Sequence, residues 1–387
     1  MFSRLVVATA AVAVLAAPEP GTQFPAPGTR RSAPGTVQFV FTSDAHYGLT
    51  RLEFRGHANV NARAVNGALV AAVNTLPTAR FPADGGLGAG DAVGAIDFLA
   101  EGGDVANREE VIDGVAIQPA AQSWREFVAD YVDRLATTDR TGAKTPVFVV
   151  PGNHDASDAV GFWKPMSPRV DTSAMAGIFN LMMHPAVPRT SATYRYGADT
   201  VLTSRDIGGV HFVFVQVWPD SRARRWMDRD LAAVPADRPV VIVTHDQPDV
   251  EAKHLLNPNG SHDLNDHDRF ENLLADELED GTTIDTPTLL EQRALEDFLA
   301  RHPNVLAYFH GNSNYNEFYE WSGPSHRLRL HVFRVDSPMK GAQSASDESR
   351  LSFQVATIDA RTHRITVRER LWNAAPGRLG WGETSNR

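Results

Sequence analysis

Val147-Phe148-Val149-Val150-Pro151-Gly152-Asn153-His154-Asp155 is the stretch on which the fold turns. Its first four residues form an apolar, mostly β-branched run. The run is too short for a helix and reads as a buried strand. It breaks at Pro151-Gly152, and three side chains able to ligate a metal or handle a proton follow at once. Ligands of open α/β sheets gather beyond the carboxyl ends of strands. The same pattern of strand followed by polar cluster recurs along the chain. Residues 37–41 lead into Asp44-Ala45-His46, and 97–99 lead through Gly102-Gly103 to Asp104 and Asn107. Residues 240–243 lead to Thr244-His245-Asp246, and 305–309 lead to His310-Gly311-Asn312-Ser313-Asn314. A further strand is expected at 211–217.

Between these runs, helical periodicity predicts helices at 60–76, 121–136, 222–234 and 289–301. Strands alternating with helices predict an α/β fold. The tail is different. Residues 328–335, 351–358 and 364–372 read as consecutive antiparallel strands, candidates for completing a second sheet. Residues 253–281 are polar and acidic and read as a long loop or insertion.

Taken singly, these polar clusters are weak signals; taken together and in this order, they resemble the calcineurin-like metallophosphoesterases. The blocks of that family are D-x-H, G-D, G-N-H-[DE], H and G-H-x-H. The resemblance runs from residue 37 to about 335, and Gly152 to Asp155 is its most specific element. It implies a two-sheet β-sandwich flanked by helices, with the site at strand carboxyl ends. It implies two divalent ions, of Mn, Fe or Zn. Asp44 and His46 would bind the first ion, Asp104 would bridge both, and Asn153 and His245 would bind the second. His154 would orient the substrate or protonate the leaving oxygen, with Asp155 holding His154. The implied reaction is hydrolysis of a phosphomonoester or phosphodiester by a metal-bound hydroxide, the substrate being a small-molecule or lipid-head-group phosphate ester.

The residue types suit this chemistry. Carboxylate, imidazole and amide oxygen fit hard to borderline ions. Two ions about 3.5–4 Å apart can clamp a phosphoryl group and acidify water. Gly90-Asp91 also matches the G-D block, but it follows a glycine-rich stretch and not a strand, so Asp104 is preferred. One block departs from the pattern: Asn312 and Asn314 stand where the family has two His. As amide ligands they would hold transition metals more weakly than imidazole. They also motivate a second reading, a non-catalytic extracellular protein that binds phosphate or metal on the same fold.

Composition narrows the classes. The chain has 387 residues, 42% of them hydrophobic and 22% charged, ordinary values for a globular protein. Its formal net charge of -10 argues against a nucleic-acid-binding surface. It contains no cysteine, which removes disulfides, thiolate ligands, a cysteine nucleophile and a lipidated cysteine. No G-x-S-x-G elbow and no G-x-x-x-x-G-K-[ST] loop occurs. At the N-terminus, Arg4 precedes an apolar stretch at 5–17, which reads as a cleaved signal peptide over 1–17. The expected product is secreted or periplasmic and has no later membrane span. Residues 18–36, rich in Pro and Gly, read as a linker; 37–336 as the catalytic domain; and 337–387 as strands completing it.

Smaller features have structural readings beside functional ones. Asn59, Asn61 and Asn66, with Arg55 and Arg63, read first as helix capping and decoration. His254, His262 and His267, with Asp263, Asp266 and Asp268, read first as a solvated loop. Trp163 and Trp218 read first as core. Lys340, just after the last strand of the resemblance, is a candidate to approach phosphate.

Overall fold

The computed structural model describes residues 35–258, 269–279 and 289–387. The expected signal peptide at 1–17 and nearly all of the 18–36 linker lie outside these residues, as do His262, Asp263, Asp266, His267 and Asp268. In chain order the first elements are β1 (Thr36–Thr42), β2 (Thr50–Phe54), β3 (His57–Asn61), α1 (Ala62–Asn74), β4 (Phe98–Glu101), β5 (Val111–Ile112), β6 (Val115–Ala116) and α2 (Ala120–Phe127). There follow β7 (Val147–Val149), α3 (Asn153–Val160), α4 (Ser173–Met183), β8 (Leu202–Ile207), β9 (Val210–Val215), α5 (Ser221–Leu231) and β10 (Val240–Val243). Last come α6 (Leu289–Arg301), β11 (Val305–His310), β12 (Glu317–Trp321), β13 (Leu330–Arg334), β14 (Ser352–Asp359), β15 (Arg364–Ala375) and β16 (Arg378–Asn386).

Two six-stranded sheets pack face to face. The first runs β16-β15-β14-β1-β4-β7, with β1, β4 and β7 parallel and β14 to β16 antiparallel. The second runs β12-β13-β11-β10-β9-β8, parallel at its centre, with β8 and β12 as antiparallel edges. The two-residue period of a strand sorts the side chains. Phe212 and Phe214 of β9 turn into the core between the sheets, and Val213 and Val215 turn outward. Val241 and Val243 of β10 turn inward, and Val240 and Ile242 outward. Burial on both faces is why these strands read as continuous apolar runs.

Aromatic rings lock the sheets together. Phe39 of β1 stacks on Phe98 at 4.6 Å and meets Phe212 and Phe309 of the other sheet at 5.4 and 5.2 Å, near edge-on. Met227 of α5 and Leu295 and Phe298 of α6 join the outward residues of the second sheet. Val65, Leu69 and Val73 of α1 and Met175 and Met182 of α4 join the core that holds the first sheet. The result is the expected sandwich with helices on its outer faces.

Two expectations need correction. The tail strands do not form one antiparallel set. β13 pairs parallel with β11 in the second sheet, whereas β14 to β16 extend the first sheet from β1. The long connection between β13 and β14 permits this change of sheet, and consecutive order along the chain does not reveal it. The described part of 253–281 is also not a solvated loop. His254, Asn257 and Asn272 are fully buried, and Leu255, Phe270, Leu273, Leu274 and Leu278 enter the outer core. His254 Nδ1 lies 2.7 Å from Asp246 Oδ2, and Asn272 Oδ1 accepts from the Asn257 backbone N–H at 2.7 Å.

Asn61 does cap a helix: its Oδ1 accepts from the Ala64 backbone N–H at 2.9 Å at the start of α1. Asn61→Ala is expected to cost about 1 kcal/mol, measured by urea denaturation, with hydrolytic activity unchanged. Trp218 lies fully buried in the outer core.

Candidate metal centre

Four loops meet at the carboxyl ends of β1, β4, β7 and β10. The loops after β1 and β4 run side by side. Asp44 N–H donates to Gly103 O at 2.8 Å, His46 N–H to Asp104 O at 2.8 Å and Tyr47 N–H to Val105 O at 2.9 Å. Asn66 of α1 donates to Ala45 O at 2.9 Å and so holds the middle of Asp44-Ala45-His46 from behind. Asp44, His46, Asp104, Asn312 and Asn314 all have φ between 42° and 63°. Five non-glycine residues in the left-handed region at one place is strain of the kind that clusters at functional sites.

Asp104 is the centre of the cluster. Its Oδ2 lies 3.6 Å from His46 Nε2, and its Oδ1 lies 3.4 Å from His245 Nε2. His46 Nε2 is also 3.6 Å from Asp44 Oδ1. His245 Nε2 is 3.0 Å from Asn153 Oδ1, and its Nδ1 is fixed at 2.8 Å from Gly102 O. The first turn of α3 points at the same carboxylate, since His154 N–H donates to Asp104 Oδ1 at 2.7 Å. The backbone must come very close here: a Cβ on Gly152 would collide with Asp104 and His245, and one on Gly311 with Ser43 and Asp44. Asp91, the rival of Asp104, lies exposed in the segment before β4.

The donor set fits divalent ions. Asp44 Oδ1 and His46 Nε2 are buried and lack any hydrogen-bond partner. His46-Asp104-His154 and Asp44-Asp104-His245 each bring three ligand-capable atoms within 4.8 Å of one another. The cluster also carries excess negative charge. Burial opposes charge on His245, but the carboxylates of Asp104, Asp44 and Asp246 outweigh it and raise its pKa. A proton on His245 is one way to balance those carboxylates; a divalent cation is another. His46 has the opposite balance: burial, then Lys340, holds it well below the ordinary histidine value, in the neutral form that ligates metal.

The two Asn of the last block behave differently. Asn312 N–H donates to Asp44 Oδ2 at 3.0 Å, and its side-chain nitrogen faces Asp246 Oδ1 at 3.0 Å and Glu251 Oε1 at 3.1 Å. Asn314 donates to Asn312 O at 2.6 Å, and its Oδ1 is a buried acceptor with no partner. His310 does not turn toward the cluster; its Nε2 lies 3.0 Å from the Tyr319 hydroxyl.

Residues 37–336 match the family model for the calcineurin-like phosphoesterases. The chain belongs to that family. Its members are metal-dependent hydrolases of phosphoric esters, and the cluster around Asp104 is this chain's candidate for the metal centre. No curated protein matches the chain. Among solved structures, it is similar to a dimetal phosphatase from Danio rerio, at 11% identity over 92% of this chain and 99% of that one, with a TM-score of 0.48. It is also similar to phosphopantetheinyl hydrolase from Mycobacterium tuberculosis, at 13% identity over 79% and 92%, with a TM-score of 0.33. A calcineurin-like phosphoesterase from Bacillus subtilis follows at 9% identity over 91% and 90%, with a TM-score of 0.32.

One role inferred from the family pattern does not hold in this phosphoesterase. Asp155 does not hold the His154 ring. Its carboxylate instead accepts from three backbone N–H groups, those of Ala106 at 2.8 Å, Gly152 at 3.0 Å and Val105 at 3.2 Å. It sits behind the helix start, where the backbone turns its amides inward. The His154 ring faces two cations instead. Arg108 Nη1 is 3.1 Å and Lys340 Nζ 3.0 Å from His154 Nε2. Burial, then Arg108 and Lys340, keep His154 neutral, well below the usual histidine value.

Arg108 was not singled out by the sequence, although it directly follows Asn107 in the block that carries Asp104. A buried Glu271 holds it through two bonds of 2.9 and 2.7 Å, and Ser157 donates to the same carboxylate at 2.7 Å. Glu271 comes from the segment that read as a polar loop. The apolar spacing of Phe270, Leu273, Leu274 and Leu278 was the available sign that this segment packs.

Proposed function

We propose that the chain is an exported phosphoesterase that takes a small-molecule or lipid-head-group phosphate ester, with Asp104 bridging two divalent ions. One observation supports this most: the two oxygens of one buried carboxylate face imidazoles from two different loops, His46 and His245. Asp44 and His46 would hold one ion, and Asn153 and His245 the other. Asn314 would add its free amide oxygen, and Asn312 either a weak ligand or the amide that fixes Asp44. The ions would supply Lewis acidity toward the phosphoryl group and an acidified water. Mn²⁺, Fe and Zn²⁺ suit this mixture of oxygen and nitrogen donors.

The protein groups do the rest. Asp155 ties the Asp104 loop to the start of α3, so that the bridging carboxylate and His154 keep a fixed relation. His154, held neutral, offers a hydrogen bond to a phosphoryl or leaving-group oxygen and does not store a proton for it. Arg108, braced by Glu271, sets positive charge beside it. Export is proposed from the apolar run at 5–17 after Arg4. Among the described residues, no helix is long and apolar enough to cross a membrane.

The test is hydrolysis of p-nitrophenyl phosphate and bis(p-nitrophenyl) phosphate by metal-stripped protein, titrated with Mn²⁺, Zn²⁺, Fe²⁺ or Ca²⁺. Turnover that rises with metal and saturates is expected. Metal and phosphate binding without turnover of either ester would favour the non-catalytic reading that Asn312 and Asn314 motivate.

A further inference from the structure

Lys340 lies four residues beyond the matched family region, which ends at residue 336. Its position is nevertheless closely built. After β13 the chain turns at Ser337. The Ser337 hydroxyl donates to Asp44 O at 2.9 Å and accepts from Lys340 N–H at 2.9 Å and Met339 N–H at 3.2 Å. One side chain thus bolts the Lys340 turn to the backbone of a proposed metal ligand. From the other side, the buried Arg51 donates to Pro338 O at 2.9 Å and also reaches Ser344 O. The turn is held at both ends, and its ammonium reaches 3.0 Å from His154 Nε2, across 186 residues of sequence.

The arrangement has more donors than acceptors. Both Arg108 and Lys340 lie against His154 Nε2, which offers at most one lone pair, and none when the Arg108 backbone N–H takes Nδ1 as its acceptor at 3.4 Å. Arg108 is ion-paired with Glu271 at 2.7 Å. Lys340 has no ion-pair partner among the described residues. A half-buried ammonium that shares an occupied acceptor calls for an anion. A bound phosphate ester provides one, and its charge decides how much Lys340 contributes. A monoester carries close to two negative charges near neutral pH, since its second pKa is about 6. A diester carries one, and esterification of its second oxygen removes an anionic acceptor.

We propose that Lys340 is a specificity-determining residue that pairs with a non-bridging phosphoryl oxygen and makes this site favour phosphomonoesters over phosphodiesters. The proposal rests on the phosphoesterase reading of the metal centre and adds the substrate class to it. Wild-type protein loaded with Mn²⁺ turns over p-nitrophenyl phosphate with a higher kcat/KM than bis(p-nitrophenyl) phosphate. Lys340→Met lowers kcat/KM for the monoester roughly 10- to 100-fold, the worth of a charge-assisted hydrogen bond. The diester changes by less than about threefold, so the ratio between the two collapses. Lys340→Arg recovers part of the monoester rate, and inhibition by inorganic phosphate weakens in Lys340→Met. A purely structural loss would lower both esters together, and this result overturns the proposal. So does a wild-type preference for the diester. Lys340→Gln repeats the measurement should the Met variant not fold. If wild type cleaves neither ester with any metal, the phosphoesterase reading falls. Calorimetric binding of inorganic phosphate, equal in wild type and Lys340→Met, would then overturn the role of Lys340 as well.

Discussion

Asp104→Asn leaves the protein folded and removes metal-dependent turnover, with kcat/KM falling at least about 10³-fold, the upper end of what loss of a single charge-stabilising group costs. The reason is geometric. Asp104 turns one oxygen to His46 and the other to His245, and its Oδ1 also accepts from His154 N–H. An amide keeps the shape but removes the negative charge and presents N–H₂ where an acceptor is required. If N–H₂ takes the Oδ1 position, it opposes the His154 backbone donor. If it takes the Oδ2 position, it faces the atoms meant for the first ion. Either way the two proposed ions would lose the ligand they share. The checks are bound metal per chain by mass spectrometry, circular dichroism and steady-state kinetics on the same preparation. A variant with normal metal content and unchanged rate would remove Asp104 from the centre and reopen Asp91.

Asp155→Ala destabilises the metal-free protein by at least about 3 kcal/mol, and its damage to activity is secondary. Three backbone N–H groups lose their only side-chain acceptor in a fully buried place. Each unpaired buried donor costs about 1–3 kcal/mol. The loops after β4 and β7 also lose their common anchor, so Asp104 and His154 no longer hold a fixed distance. Urea unfolding of metal-free protein reads the effect without the added stability that ions give. Asp155→Asn should fall between wild type and Ala, because one acceptor oxygen remains. Wild-type stability in Asp155→Ala together with an altered pH profile would point back to a role on the His154 ring.

Much of the centre is visible along the chain because its donors are local. Asp44, His46, Asp104, Asn153, His154 and His245 each follow a buried strand within a few residues, so strand ends bring them to one edge. The apolar runs at β9 and β10 likewise announce burial on both faces before any packing is known. Helix capping by Asn61 also acts over three residues and is read directly.

Other features depend on contacts that no spacing encodes. Which sheet takes β14 to β16 is settled by the pairing of β14 with β1, about 320 residues earlier, and not by their adjacency to β13. The brace on Arg108 comes from Glu271, 163 residues away, and the second cation on His154 from Lys340, 186 residues away. Asp155 and His154 are neighbours in sequence, yet successive side chains on a helix diverge by about 100°, which sends one to the backbone amides and the other to the site. Asn312 and Asn314 look equivalent in sequence, but only Asn314 has a buried oxygen left without a partner. The type of chemistry and most of the residues proposed as ligands can be read along the chain, because strand ends and short loops are local. What supports those residues, and which cations face His154, is seen only once the chain is folded, because both depend on packing between distant segments.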